Sequence, residues 1–251
     1  SHQTLMNHHD HEQRYSRHLS LDKMGEAGQD KLARSRVLVV GSGGLGCPLS
    51  LYLAASGIGT IGVVDDDRVS LSNLSRQILF ETADIGRKKV EAANDRLSEL
   101  NDEISIKTYA VKLNAENAQE LMANYDVIAD GSDNPETRYL INKICHQLKK
   151  PLISAAIHGW QGQLYSFDTA QGSACYQCLY PSPPHADELP TCAQSGVFSP
   201  LAGLMGSWQA AQVIKHLINL GEAGTMQRIN LQNNLFHSSQ IRKDNACPTC
   251  S

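Results

Sequence analysis

Short, almost wholly apolar runs recur at residues 37–40, 61–64, 104–111, 127–129 and 152–157. Between them the apolar positions return at helical spacing. Residues 45–55 open from a glycine turn, 87–100 carry Val90, Ala93, Leu97 and Leu100 on one stripe, and 135–148 begin with a proline that Asn134 is placed to cap. Strand alternating with helix predicts an α/β chain with a parallel, doubly wound, Rossmann-like sheet.

Past residue 157 the pattern changes to short strand candidates at 163–167, 228–231 and 235–241, which predict an antiparallel extension of that sheet. The segment 181–190 holds four prolines and reads as an exposed crossing loop, followed by a helix over 200–220 that stops at Gly221. No repeat or long linker interrupts the pattern. The expected organisation is one domain over 12–251, with a nucleotide-binding half (12–157) and a second half (158–251). The polar, histidine-rich residues 1–11 are expected to be disordered.

Composition narrows the function. With 251 residues, 41% of them hydrophobic, the chain can bury a sizeable core. A net charge of −4 supplies no basic field, so nucleic acid and anionic membrane are not expected partners. Neither a signal peptide nor an apolar run of about 18 residues is visible, so a cytoplasmic location is expected. Four of the seven cysteines fall in two CxxC pairs, which favours metal over a disulfide framework.

The turn GSGGLG, residues 41–46, joins a strand to a helix, and Asp65 ends the next strand. Gly41, Gly43, Gly44 and Gly46 let backbone amides approach a phosphate at a helix N-terminus, while Asp65 suits ribose hydroxyls. Alone, this pattern fits a dinucleotide such as NAD equally, or a tight turn with no ligand. The run Ser72, Asn73, Leu74, Ser75, Arg76, Gln77 tilts it toward ATP, because it sets amides and a guanidinium beside the nucleotide. Arg76, Lys89 and Arg17 are the candidate phosphate ligands. Lys89 sits in the basic run 87–89 at a helix start, unfavourable for the helix dipole unless an anion offsets it. Asp133 follows the strand 127–129 and is the candidate magnesium ligand, or alternatively a helix cap; Asn134 stands beside it. Asp66 and Asp67 read as solvated neighbours, with Asp67 alternatively organising the site.

Cys175, Cys178, Cys247 and Cys250 form a four-thiolate set that would close the coordination of a structural zinc ion. Cys192, after the proline-rich loop, is either a thiol nucleophile or an inert cysteine. Cys47 and Cys145 fall inside helix patterns and, with Trp160 and Trp208, read as packing residues.

Taken in order, GSGGLG, the acidic strand end, SNLSRQ, the lysine of IGRKKV, DGSDN, the loop cysteine of PTCAQSGVFSP and the two CxxC knuckles resemble the MoeB/ThiF/HesA family, relatives of the ubiquitin-activating enzymes. The resemblance spans about residue 14 to Cys250. It implies adenylation of the C-terminal glycine of a ubiquitin-like sulfur carrier ending in Gly-Gly, of MoaD or ThiS type, with release of pyrophosphate. It further implies ATP, Mg2+ and Zn2+ as cofactors, and molybdopterin or thiamine biosynthesis as the pathway. On the family pattern Gly44, Asp65, Ser72, Asn73, Arg76, Lys89, Asp133 and Asn134 map to the nucleotide, and Arg17 to the ATP of the other subunit of a homodimer. Cys192 maps to a thiol that bonds the carrier in some members. The chain departs from the pattern at His18, Ser75 and Gly131, none of them a charged phosphate or metal ligand. One residue follows Cys250, leaving no room for a rhodanese domain, so a separate sulfur donor is expected. The competing reading is an NAD-dependent oxidoreductase, which leaves SNLSRQ, Lys89 and the knuckles without a task.

Overall fold

In strand β1 (Arg36–Val40), Val37 and Val39 face one way and Leu38 and Val40 the other, and all four are buried. A strand apolar on both faces needs cover on both, and the molecule supplies two separate cores. Val37 and Val39 join one core with residues of α4 (Gly46–Ala55), α5 (Lys89–Leu100) and α10 (Ser199–Leu217). Leu38 and Val40 join the other with α6 (Ala118–Ala123) and α7 (Pro135–Leu148).

The computed structural model describes residues 2–185 and 192–251. Its sheet has eight strands in the order β3-β2-β1-β4-β5-β6-β7-β8. Strands β2 (Thr60–Val64), β3 (Ser105–Tyr109), β4 (Val127–Asp130) and β5 (Leu152–His158) continue β1 in parallel. Strands β6 (Gln161–Phe167), β7 (Thr225–Asn230) and β8 (Leu235–Gln240) add the antiparallel extension. Chain order reverses between β1 and β4, the switch point where open α/β sheets bind ligands. The fold class read from the sequence is the one observed.

Several boundaries differ. The first helix, α1 (His2–Arg14), occupies the segment expected to be disordered. Its end is tied down, since Arg14 donates to the Leu100 carbonyl and pairs with Asp102 at 2.9 Å, and His11 lies 3.0 Å from Glu103. Helices α2 (Ser16–Leu19) and α3 (Gly25–Arg34) follow. The helix expected to stop at Gly221 ends earlier, because Asn219 takes a left-handed φ of 61° and the Leu220 N–H closes onto the Lys215 carbonyl at 2.8 Å. Trp160, read as a packing residue, is 43% exposed and stacks on Phe198 at 4.4 Å. Residues 181–185 are exposed, and the remainder of the proline-rich loop lies outside the described residues. Among the described residues no helix is long and apolar enough to cross a membrane.

Candidate active site

At the carboxyl ends of β1 and β4 the sheet opens into a cleft of about 230 Å³. Its walls carry Gly41, Gly43, Gly44, Asp65, Asp67, Arg76, Gln77, Lys89, Asp133 and Asn134, which the sequence scatters over more than ninety positions.

The glycine turn has its shape for steric reasons. Gly41 has φ of +92°, and its N–H donates to the Val64 carbonyl at 2.8 Å. A Cβ on Gly46 would lie 1.9 Å from the Gly41 carbonyl oxygen, so the first turn of α4 can tuck under the loop only as glycine. Helix α4 has no side-chain cap, and the turn that leads into it, Gly43 to Leu45, lines the cleft. Asp65 accepts from the Ser42 N–H with one oxygen and from the Asp67 N–H with the other, both at 2.8 Å. Each oxygen keeps a free lone pair, so the carboxylate can brace the turn and still take a ribose hydroxyl.

The run 72–77 divides its work. Ser72, Asn73, Leu74 and Ser75 do not line the cleft. Leu71–Asn73 form a 3-10 turn whose start is closed by the Asn73 Oδ1, accepting from the Ser70 N–H at 2.9 Å, with Ser72 Oγ 3.0 Å from Ser70 Oγ. The turn delivers Arg76, whose Nη1 donates to the Ser72 carbonyl at 2.8 Å, and Gln77, which is buried in the cleft wall. Of the basic run, only Lys89 reaches the cleft. Arg87 pairs with Asp84 at 2.8 Å and Asp95 at 2.6 Å, and Lys88 lies 3.9 Å from Glu91. Carboxylates thus offset the charges of Arg87 and Lys88. Lys89 is buried, with its Nζ 3.7 Å from Asp67 Oδ2, so Asp67 organises a cation inside the cleft.

Asp133 is exposed and sits between two anchored neighbours. The cap of α7 is Asn134, which accepts from the Thr137 N–H at 2.8 Å; Asp133 is left free for a ligand. A single free carboxylate beside a phosphate-binding turn fits magnesium, which takes one or two carboxylates and completes its shell from phosphate and water. Sequence reasoning missed Arg138, which lines the cleft beside this loop, and Asp130, which ends β4. Asp130 is buried, and burial pushes its carboxyl up while the charge of Arg138 opposes the rise. The sequence signal was there: a charged residue inside the apolar run that ends β4.

Arg17, on α2, is exposed and outside the cleft of its own chain; its guanidinium donates to Ser16 Oγ at 3.4 Å. Cys192 begins the short helix α9 (Cys192–Ser195), and its side chain lies outside the described residues. Downstream, Gly196 and Phe198 are stitched to Gly159 of the β5–β6 hairpin, which brings Val197 to the edge of the cleft. Cys47 is buried and its thiol is pushed up to about 12 by burial, as a packing cysteine requires.

The four knuckle cysteines meet outside the cleft, with all their sulfurs within 4.8 Å of one another. Cys175 is the N-cap of the short helix α8 (Tyr176–Leu179), Cys178 lies within it, and both meet the last residues of the chain. Sulfur separations are 3.7 Å (Cys175–Cys247), 3.4 Å (Cys178–Cys250) and 4.0 Å (Cys175–Cys178). Tetrahedral zinc with bonds near 2.3 Å places sulfurs about 3.8 Å apart, whereas a disulfide needs about 2.05 Å. The donor set fits zinc and leaves no open position. Asn142 Nδ2 donates to Cys175 Sγ and the Asp244 N–H to Cys178 Sγ, both at 3.4 Å, the outer contacts a thiolate site calls for.

The family model described as "ThiF family" matches residues 15–249. Among curated proteins, a Thermus thermophilus sulfur carrier protein adenylyltransferase is 42% identical over 94% of this chain and 90% of its own length. An Aedes aegypti adenylyltransferase and sulfurtransferase MOCS3 is 43% identical over 95% of this chain, which spans only 55% of that longer relative. Among solved structures, E. coli MccB crystallised with AMPCPP and MccA superposes with a TM-score of 0.82 at 27% identity, covering 95% of this chain and 74% of that one.

Proposed function

The chain belongs to the ThiF family, and from that premise we propose that it is an adenylyltransferase that activates the C-terminal glycine carboxylate of a ubiquitin-like sulfur carrier. The observation that carries the reading is one cleft, at the strand-order switch point, holding the glycine turn, Asp65, Arg76, Lys89 and Asp133 together. The relatives named as sulfur carrier protein adenylyltransferase and MOCS3 support the same reaction class.

In this reading the amides of the glycine turn seat the phosphates and Asp65 holds the ribose. Arg76 and Lys89 meet the charge that develops on the phosphates as the carrier carboxylate attacks the α-phosphorus and pyrophosphate leaves. Asp133 holds magnesium, whose charge when bound offsets that of the departing pyrophosphate. No protein base is needed, because the attacking carboxylate is ionised at neutral pH. The knuckle zinc is structural, pinning the chain end to the second half.

ATP–pyrophosphate exchange, measured with carriers of the MoaD and ThiS types ending in Gly-Gly, tests the reading and separates the two pathways. Carrier-dependent exchange is expected with one of them. Absence of exchange with any carrier, together with NAD binding, overturns the reading in favour of an oxidoreductase. Cys192 is assigned a step after activation, so Cys192→Ala is expected to keep exchange within about twofold. A thousandfold loss would place the thiol in adenylation itself.

Arg17 is assigned to the ATP of the second protomer in a homodimer, in keeping with its exposure outside its own cleft. Mixing and reassembling inactive Arg17→Ala and Asp133→Ala chains should then restore about a quarter of the exchange rate, since half the dimers regain one complete site. A mixture as inactive as its components overturns the shared site.

A further inference from the structure

The loop that presents Asp133 is held by two opposite charges that act on the backbone of one residue, Ser132. Asp130, buried at the end of β4, accepts from the Ser132 N–H at 2.8 Å with Oδ1 and from Ser154 Oγ at 3.3 Å with Oδ2. Arg138, one turn into α7, donates from Nη2 to the Ser132 carbonyl at 2.9 Å. Asp130 and Arg138 do not form a direct ion pair; they meet through Ser132. Gly131 is wedged against the glycine turn, where a Cβ on Gly41 would lie 3.2 Å from its carbonyl oxygen. Asn134 is fixed as the cap of α7. Asp133 is thus the exposed residue of a run whose neighbours are anchored on both sides.

From this geometry we infer that Arg138 and Asp130 are positioning residues, which clamp the Ser132 backbone on both sides so that the Asp133 carboxylate is aimed into the cleft at magnesium. The inference rests on the assignment of Asp133 made above. Arg138 also lines the cleft and its enclosed Nε has no partner among the described residues, so a direct ligand contact would show as a loss of magnesium-free ATP affinity, whereas the engagement of Nη2 by the Ser132 carbonyl points to positioning. Stability alone explains the arrangement poorly. Apolar side chains of similar volume serve a buried site as well as charges do or better, whereas charges bonded to the N–H and the C=O of one residue fix the two peptide planes that flank it.

The test uses the full chain with Arg138→Lys, Arg138→Met and the double variant Arg138→Met with Asp130→Asn. The double variant leaves no unpaired buried charge, so it keeps the comparison readable where Arg138→Met fails to fold. ATP binding is titrated calorimetrically with and without Mg2+, and the magnesium needed for half-maximal pyrophosphate exchange is measured in parallel. Magnesium-free ATP affinity should stay within about twofold of the parent chain, as the phosphate and ribose contacts remain. The gain in affinity on adding magnesium should fall about tenfold or more in the double variant, the usual cost of removing an outer contact of a metal ligand, with Arg138→Lys recovering part of it. A folded double variant with the parent's full magnesium gain overturns the inference and leaves the adenylation reading intact. A parent chain whose ATP binding ignores magnesium, or an Asp133→Ala chain that keeps the gain, overturns the assignment of Asp133 and the clamp with it.

Discussion

Replacing Asp133 by alanine is expected to reduce carrier-dependent ATP–pyrophosphate exchange by about a thousandfold, the scale of removing one group that organises developing charge. The same change should leave folding stability within about 0.5 kcal/mol, because an exposed side chain away from caps and cores contributes little to it. Both halves follow from where the residue sits: Asn134, not Asp133, caps α7, and the Asp133 side chain is exposed to the cleft. Exchange kinetics and a denaturant titration on the same preparation check the two halves. Parental exchange by the alanine chain removes the carboxylate from the mechanism. A collapse in stability would instead make it a structural residue.

Cys247→Ser is expected to yield a chain that holds no zinc and melts about 10 °C below its parent. The knuckles join positions 72 residues apart, and closing a loop of that length removes about 4 kcal/mol of unfolded-state entropy. In a domain of this size each kcal/mol moves the midpoint by about 2–4 °C. Metal analysis should find one zinc per parental chain, released by a strong chelator with the same loss of stability. A parent that is fully stable without metal, or that carries Cys175–Cys247 and Cys178–Cys250 as disulfides, contradicts the assignment.

The parallel strands were legible because each is apolar on both faces, and a run such as 37–40 admits few other readings. Strand β3 was harder to bound: at the sheet edge its residues are exposed or half-buried, and the apolar signal runs past both ends of Ser105–Tyr109. Helix α3 gave almost no periodic signal, since glycines stand at two of its ten positions and its buried face is Gly28, Gln29 and Leu32. A Cβ on Gly28 would lie 2.7 Å from Met24 Sδ, a packing contact invisible without the partner. In the cleft, charged residues with a loop motif around them were legible, as with Asp65, Arg76 and Lys89. Asn73 was read as a nucleotide ligand from its motif alone; that its side-chain oxygen also closes the turn that carries Arg76 needed the fold. Arg138 went unread because, in sequence, it is one more charge on an amphipathic helix; its meaning depends on Asp130 and Ser132, brought to it by the fold.

Helix α10 belongs by sequence to the second half of the chain, yet it packs on α4 and β5 and fills the core beneath β1. Its buried Gln209 donates to the carbonyls of Asp130 and Ile153, both at 2.9 Å, joining the two strands beside the switch point. During synthesis, then, the parallel strands emerge first but cannot close one face of their sheet until residues 199–217 have left the ribosome. A nascent chain halted at residue 158 would carry every strand of the parallel sheet and still expose an apolar face. The two halves are divisions of labour rather than independent folding units, and the cleft is among the last features to be completed.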